Sequence, residues 1–378
     1  MKILVVGDFS SIHVYNFIRN VIKHVDCECV GYHIIPDAIM PEYQCYYSAN
    51  NINVTKGVDP SIYSEKGAIT FVKQSISLLS SLGEFDVLHV HAVRPFITLP
   101  IYLVRKRFKK IILTYWGSDL FRTSKLHLLV TAPLLSCANI IHVLTHEMLT
   151  YFEALPWPIS RNSKKVRVFD FGNMFFEKID CYLPDRNKIK AEFDLDPNKI
   201  VCTIGYVGRP QMQQIKTVES ILPLITKKKD KIQLAIPAYG ISESDFDKLN
   251  YLLNNSGIKY GIYSEFMDPD RVSKFRAITD IFIHAQTTDA LSCSVVEHFY
   301  SGSVVINGGW LKYENLDNNG AYYHKFDTFS SLAEILKSIL SNLYEEKDKS
   351  KVNIDIVKGL IHWDVLRPQW LKMYIENE

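Results

Sequence analysis

Apolar residues along this chain fall into two registers. Some form short unbroken runs, and others recur every three to four positions over longer stretches. The first register suits strands buried on both faces, and the second suits amphipathic helices. Lys2–Gly7 reads as a strand, His13–His24 as a helix with Val14, Phe17, Ile18 and Val21 on one face, and Cys27–Ile35 as a second strand. Ser61–Leu82, Pro95–Phe108 and Lys125–Cys137 read as further helices; Asp86–Val90, Ile111–Tyr115, Ile140–Leu144 and Val166–Phe169 read as strands. Strand and helix alternate, which predicts a parallel sheet covered by helices on both faces.

The rhythm stops at 176–198, a polar stretch with Pro184 and Pro197 and no sustained period, which reads as a linker. It then restarts. Ile200–Tyr206, Ile232–Pro237, Lys259–Tyr263, Ile281–Ala285 and Val304–Ile306 are predicted strands; Lys216–Lys228, Ser244–Asn254, Pro269–Ile278, Cys293–Ser301 and Ser330–Leu343 are predicted helices. The expected organisation is a first domain over 1–175, the linker, a second domain over 199–358 and a last helical segment over 359–378. A length of 378 residues is comfortable for two such domains.

Composition narrows the picture little. The net charge of +2 gives no argument for a nucleic-acid partner, and none is expected. The seven cysteines are odd in number and lack a Cys-x-x-Cys pair, so buried reduced thiols are expected. Lys2–Val6 is too short for the apolar region of a signal peptide, and no run approaches the ~20 residues of a spanning helix. A cytoplasmic location is therefore the expectation.

In open α/β sheets ligands bind beyond the carboxyl ends of the strands, which directs attention to particular loops. The loop Gly7–His13 lacks the Gly-x-Gly-x-x-Gly spacing of a dinucleotide site. His13, at a helix start, is either a proton-transfer or hydroxyl-binding group or an ordinary surface histidine. Asp86–His91 places His89 and His91 on one face of a strand, with His91 nearer its carboxyl end and Arg94 following. Asp119, in Thr114-Tyr115-Trp116-Gly117-Ser118-Asp119, can face a cleft or cap the next helix. In the second half, Arg209 and Lys216 follow the strand end Gly205-Tyr206-Val207-Gly208, and both cations suit a diphosphate. The strongest signal is Asp289, with Glu297 eight positions on inside an apolar helix. A buried carboxylate needs partners, and ribose hydroxyls would serve. The helix start near Ser292 and Cys293 offers free backbone amides to an anion.

At these residues the chain resembles the GT-B glycosyltransferases, close to the large family-4-like group. The match is the acidic–x7–Glu pattern Asp289 to Glu297, followed by Ser301-Gly302-Ser303-Val304-Val305-Ile306. Phe171-Gly172 resembles the family's hinge, and His362-Trp363-Asp364 with Trp370 and Tyr374 resembles the last helix, which crosses back onto the first domain. The resemblance implies two Rossmann-like, doubly wound α/β domains facing across a cleft. It implies Glu297 on the donor ribose, Asp289 near the donor sugar, and Arg209 and Lys216 on the diphosphate. Three departures stand out. Asp289 replaces the usual Glu, Gln213 and Gln214 separate the arginine from Lys216, and Trp116 precedes Gly117 where many members have histidine. The Tyr-Trp-Gly-Ser-Asp form and Trp310-Leu311-Lys312-Tyr313 are similar to the fucosamine-type transferases of lipid-linked surface polysaccharides.

The expected reaction is sugar transfer from a nucleoside-diphosphate sugar to a hydroxyl of a glycan or lipid-linked acceptor, with retention, in cell-surface polysaccharide synthesis. No cofactor or metal is expected, since Asp268-Pro269-Asp270 reads as a helix cap. Tyr263 and Phe266 are candidates for contact with the base, and Asp119, His91, His13 and Asp289 for chemistry. Three alternatives stay open: an inverting enzyme with Asp119 or His13 as base, a non-catalytic partner of the same fold, and a nucleotide-sugar epimerase. The basic stretch Arg105–Lys110 either touches the inner face of an anionic membrane or complements a helix C-terminus.

Overall fold

A computed structural model describes residues 1–35 and 38–375. It divides into two compact units, Met1–Gly172 with the C-terminal segment from Trp363, and Asn173–His362.

The first unit holds a seven-stranded sheet of β1 (Lys2–Gly7), β2 (Glu28–His33), β3 (Asn53–Lys56), β4 (Phe85–His91), β5 (Phe108–Thr114), β6 (Ile140–Val143) and β7 (Val166–Val168), in the order β3-β2-β1-β4-β5-β6-β7. Each neighbouring pair is parallel; Ile3 stands beside Cys29 on one side and Val87 on the other. The unbroken apolar runs of β1 and β4 are buried throughout their middles, as strands covered on both faces must be. The helix Trp363–Ile375 completes this unit. Its Trp370 is fully buried against Phe17 and His142, and the Trp363 indole donates to Asn16 Oδ1 at 2.9 Å. Gly172 is required there, because a Cβ would lie 2.3 Å from the Trp363 ring.

The second unit holds β8 (Ile200–Ile204), β9 (Ile232–Pro237), β10 (Tyr260–Tyr263), β11 (Ile281–His284), β12 (Val304–Gly308) and β13 (His324–Phe326), ordered β10-β9-β8-β11-β12-β13 and again parallel. Both sheets reverse direction beside their first strand, between β1 and β4 and between β8 and β11. Each therefore has a switch point where loops part.

Residues 176–198 correct the expected linker. They form helices Phe176–Tyr182 and Arg186–Glu192 within the second unit. Ile189, Phe193 and Leu195 pack with Val201, Ala235, Phe275 and Ile278. The buried Asp280 draws the segment in, paired with Arg186 at 3.0 Å, Lys190 at 3.5 Å and Lys347. Burial alone would raise the Asp280 carboxyl, but Lys347, Arg186 and Lys190 together hold it below its usual range. Smaller differences have local causes. Gly67, at φ +84°, breaks the expected helix Ser61–Leu82 into Ser61–Glu65 and Ala68–Ser81. The helix from Pro95 ends at Leu103, because Phe108 already opens β5.

Candidate active site

The second unit's switch point is built by two loops that hold each other. After β8, Gly205 at φ +63° and Gln213 at φ +52° turn the chain into the helix Gln214–Thr226. Gly208 passes so close to Ala238 that a Cβ would sit 2.4 Å from its carbonyl oxygen. The two glutamines between Arg209 and Lys216 serve as staples. Gln214 Nε2 donates to the Ile204 and Pro237 carbonyls at 2.9 and 2.8 Å, tying the ends of β8 and β9. Gln213 Nε2 donates to the Ala285 carbonyl at 2.8 Å, and Tyr206 donates to Gln286 Oε1 at 2.7 Å, bridging to the loop after β11. Arg209 and Lys216 are left exposed on the rim of a cavity of about 420 Å³, lined also by Gly208, Gln213, Lys248 and Thr287. Glu219 and Asp245 also line it, and Glu219 pairs with Lys248 at 3.1 Å, so Arg209 and Lys216 are the cations left to meet an anion.

The loop after β11 carries Asp289, half-buried, whose Oδ2 accepts from the Tyr313 hydroxyl at 2.9 Å. Burial and the neighbouring Asp289 carboxylate raise the Tyr313 phenol well above its ordinary value, so it stays a proton donor. Trp310 Nε1 donates to the Gln286 carbonyl at 2.7 Å and steadies the same loop. The helix Cys293–Tyr300 starts from Ser292, and the buried hydroxyls of Ser292 and Ser294 have no partner among the described residues. Cys293 is half-buried in the first turn. Glu297 is 3% exposed, and protein groups already meet its needs: Arg276 Nε donates to Oε2 at 2.9 Å, and Asn173 Nδ2 to Oε1 at 3.1 Å. Its burial thus requires no ribose, contrary to the reason for which the sequence singled it out.

The two base candidates part company. Tyr263 donates to the Phe193 carbonyl at 2.8 Å and packs edge-on against Phe193 and Phe275, so it belongs to the unit's interior. Phe266 is 55% exposed and forms an edge-to-face pair with Tyr239, itself 52% exposed. Tyr239 carried no signal in the sequence, because its partner lies 27 positions away.

In the first unit, His91 is fully buried at the end of β4. It stacks on His89 at 4.2 Å between ring centroids, and burial pushes it down to about 3. Neither of its ring nitrogens has a partner among the described residues. His13 lies against Trp116 and Phe171, and burial lowers it to about 4. Asp119 is also fully buried, and its two oxygens accept the backbone amides of Val93 and Trp116 at 2.9 and 2.8 Å. Burial raises it to about 6 despite those bonds. It clamps the loops after β4 and β5, where Ala92 is held at φ +58°. It is thus neither an exposed base nor a cap, since the helix Ser118–Phe121 starts from Gly117 without a side-chain cap.

Residues 2–143 match the glycosyl transferase 4-like family. The whole chain is similar in structure to HepE from Anabaena, solved in complex with UDP, with a TM-score of 0.72 at 12% identity over 99% of both chains. A glycosyltransferase from Rickettsia africae gives a TM-score of 0.73 at 14% identity, covering 100% of this chain and 99% of that one. The chain has the GT-B glycosyltransferase fold. Sucrose-phosphate synthase from Thermosynechococcus elongatus shares the GT-B fold, with a TM-score of 0.71 at 12% identity over 99% of this chain and 98% of that one. No curated protein sequence matches the chain. Within this GT-B chain the structure brings Arg209, Lys216, Asp289, Ser292, Cys293 and Glu297 into the loops and helix starts of the second unit. Sequence reasoning missed the roles of Tyr206, Gln213 and Gln286, whose pairings span 80 and 72 positions of the chain, and of Gln214, which ties together two strand ends. Among the described residues no helix is long and apolar enough to cross a membrane.

Proposed function

We propose that this chain transfers a sugar from a nucleoside-diphosphate sugar to a hydroxyl of a glycan or lipid-linked acceptor, as a step in building a cell-surface polysaccharide. The observation that carries the reading is the pair of exposed cations, Arg209 and Lys216, on the loop and helix that leave β8 beside the β8/β11 switch point. The HepE neighbour, solved with UDP and with UDP-glucose, supports a donor of that class.

In the transfer, the bond from the sugar's anomeric carbon to the diphosphate oxygen breaks and a bond to the acceptor oxygen forms. The acceptor proton passes to the departing diphosphate on the same face, with retention. Arg209 and Lys216 offset the charge that grows on the leaving diphosphate, so the reaction proceeds without a divalent ion. Ser292 and Ser294 offer hydroxyl donors at the adjoining helix start. Asp289, oriented by Tyr313, accepts from hydroxyls of the donor sugar. Phe266 and Tyr239 offer an aromatic platform to the base.

The test is a thermal-shift panel of UDP, GDP, dTDP, CMP and ADP, with and without magnesium. A saturating ligand adds a few kcal/mol to stability by linkage. One nucleoside diphosphate should raise the melting temperature without metal in the native chain and not in Arg209→Ala. No shift with any of them, or a shift only with magnesium, overturns the corresponding part of the reading.

A further inference from the structure

A line of buried polar groups runs from β12 to the acidic loop of the second unit, and its hydrogens can be placed one by one. Asn307 in β12 is the register partner of His284, the last residue of β11, and both are fully buried. Asn307 Nδ2 lies 3.3 Å from the Gly308 carbonyl, which can only accept, so Oδ1 is the atom turned to His284 Nδ1 at 2.8 Å. An amide oxygen takes a hydrogen and gives none. On the other side of the ring, Nε2 has no partner among the described residues, and the nearby Gln286 Oε1 already takes the Tyr206 hydrogen at 2.7 Å. The imidazole, which burial holds below its usual value and so neutral, therefore carries its hydrogen on Nδ1.

That tautomer decides what the next group does. The Tyr313 hydroxyl stands 3.5 Å from His284 Nδ1 and 2.9 Å from Asp289 Oδ2. A bare Nδ1 would compete with the carboxylate for the phenol hydrogen; a protonated one does not. The Ser292 backbone N–H also meets the phenol oxygen, and it too is a donor. The Tyr313 hydrogen thus goes to Asp289, whose Oδ1 takes the Ala290 amide at 3.0 Å. A carboxylate has about four acceptor positions, so it keeps lone pairs to offer, and each calls for a donor such as a hydroxyl. The fold has no need of this line. Replacing both partners of a buried hydrogen bond by apolar side chains of the same shape is nearly neutral.

We propose that Asn307 and His284 are positioning residues that keep the Tyr313 hydrogen on Asp289, and through it hold the carboxylate as an acceptor for hydroxyls of the donor sugar. The inference rests on the donor reading above and extends it to two fully buried residues.

The test compares, in each variant, calorimetric affinities for a bare nucleoside diphosphate and for its hexose conjugate. The pair is UDP with UDP-glucose, GDP with GDP-mannose, dTDP with dTDP-glucose or ADP with ADP-glucose, whichever the native chain binds. The ratio of the two dissociation constants isolates the sugar's contacts, because damage to the fold or to the diphosphate site moves both. Tyr313→Phe and Asp289→Ala should each shift that ratio about tenfold against the conjugate, as the loss of a hydrogen bond to a charged group does. The double variant should go no further than Asp289→Ala alone, because the tyrosine acts through the carboxylate. Asn307→Leu should shift the ratio about threefold in the same direction, and Asn307→Asp, which keeps an acceptor for the Nδ1 hydrogen, should restore it. A native-like ratio in Tyr313→Phe, or additive losses in the double variant, overturns the proposal and leaves the donor reading in place. Equal shifts in Asn307→Leu and Asn307→Asp mark a packing role and overturn it as well. Nitrogen NMR of the histidine rings should find His284 protonated on Nδ1, and a hydrogen on Nε2 in the native chain overturns the proposal whatever the nucleotides do. Binding of none of the pairs by the native chain overturns the donor reading itself, and this inference with it.

Discussion

The two units share a strand order and a switch point, yet they differ in what they leave open beside it. At the end of β4 the first unit buries His89 and His91 in a stack beside Trp370, and closes the neighbouring loop with Asp119. These imidazoles are held neutral by burial, and a charge placed among them would find few partners. In the second unit β11, the counterpart of β4, also ends in a buried histidine, His284, but the loop after β8 leaves Arg209 and Lys216 exposed, and the hydroxyls of Ser292 and Ser294 have no partner among the described residues. Topology supplies a crevice in each unit, and side chains decide whether it can receive an anion. Fold likeness alone could not have made that distinction.

Glu297 offers the sharpest way to break this contrast, because it is the one carboxylate in the second unit's site that looks sealed. Glu297→Ala would leave the Arg276 guanidinium buried without its partner and should cost about 3–5 kcal/mol of that unit's stability. Urea unfolding followed at Trp310, the one tryptophan of the second unit, reads this directly. A cost under ~1 kcal/mol with complete loss of nucleotide binding would instead make Glu297 a ligand to the ribose. Arg209→Ala comes next. It should lower turnover roughly 10²–10³-fold, as expected when one preorganised donor to a leaving group is lost, with an unchanged melting temperature because the side chain is exposed. Unaltered turnover would remove the arginine from the diphosphate site.

The first unit answers to acid. His91 and His142 are pushed by burial to about 3, and His89 well below 6.5, so their neutral forms stabilise the fold above pH 6.5. That contribution is lost as pH falls from 6.5 toward 3, at about 1.4 kcal/mol per pH unit for each imidazole. Asp119 runs the other way. Its folded value of about 6 lies above 3.8, so it favours the fold in acid and loses that contribution as pH rises through about 4 to 6. His13, also lowered to about 4, adds to the three, and together these imidazoles outweigh the one carboxyl, so the unit loses stability as pH falls from 6.5 toward 4. Unfolding at pH 7 and pH 5, followed by tryptophan fluorescence, tests this, because Trp116, Trp157, Trp363 and Trp370 all lie in the first unit. A midpoint that does not move between those two values would contradict the buried neutral stack.

What the sequence disclosed follows the same physics. Lys2–Gly7 and Ile232–Pro237 were legible to the residue, because strands buried on both faces are unbroken apolar runs. Asn53–Lys56 was not, since an edge strand of Asn, Val, Thr and Lys has little to bury. The tyrosine-rich helix Pro41–Ala49 buries Tyr43 and Tyr47 but shows weak periodicity. Residues 176–198 misled because their anchors, Arg186 and Lys190, are polar and find Asp280 only after folding. In the site, Arg209, Lys216 and Asp289 were visible as charged residues in the right loops. Gln214 and Tyr313 were not, because a staple has no meaning until its carbonyls and carboxylate are brought to it.

The smallest expected effect is the most discriminating. Ser294 is 4% exposed and its hydroxyl has no partner among the described residues, so it bears a desolvation cost without return from the fold. Ser294→Ala should therefore leave stability unchanged or raise it by up to about 1 kcal/mol, the opposite of what most buried substitutions do. If the hydroxyl is kept for a ligand, the same variant should bind the nucleoside diphosphate several-fold more weakly. Stability and affinity would then move in opposite directions, the mark of a group held for a ligand at the fold's expense. Ser292→Ala supplies the companion measurement from the helix N-cap, two residues earlier. Gains in stability without any loss of affinity in both variants would show that these hydroxyls serve neither the fold nor the donor. The contrast between the two units would then rest on Arg209 and Lys216 alone.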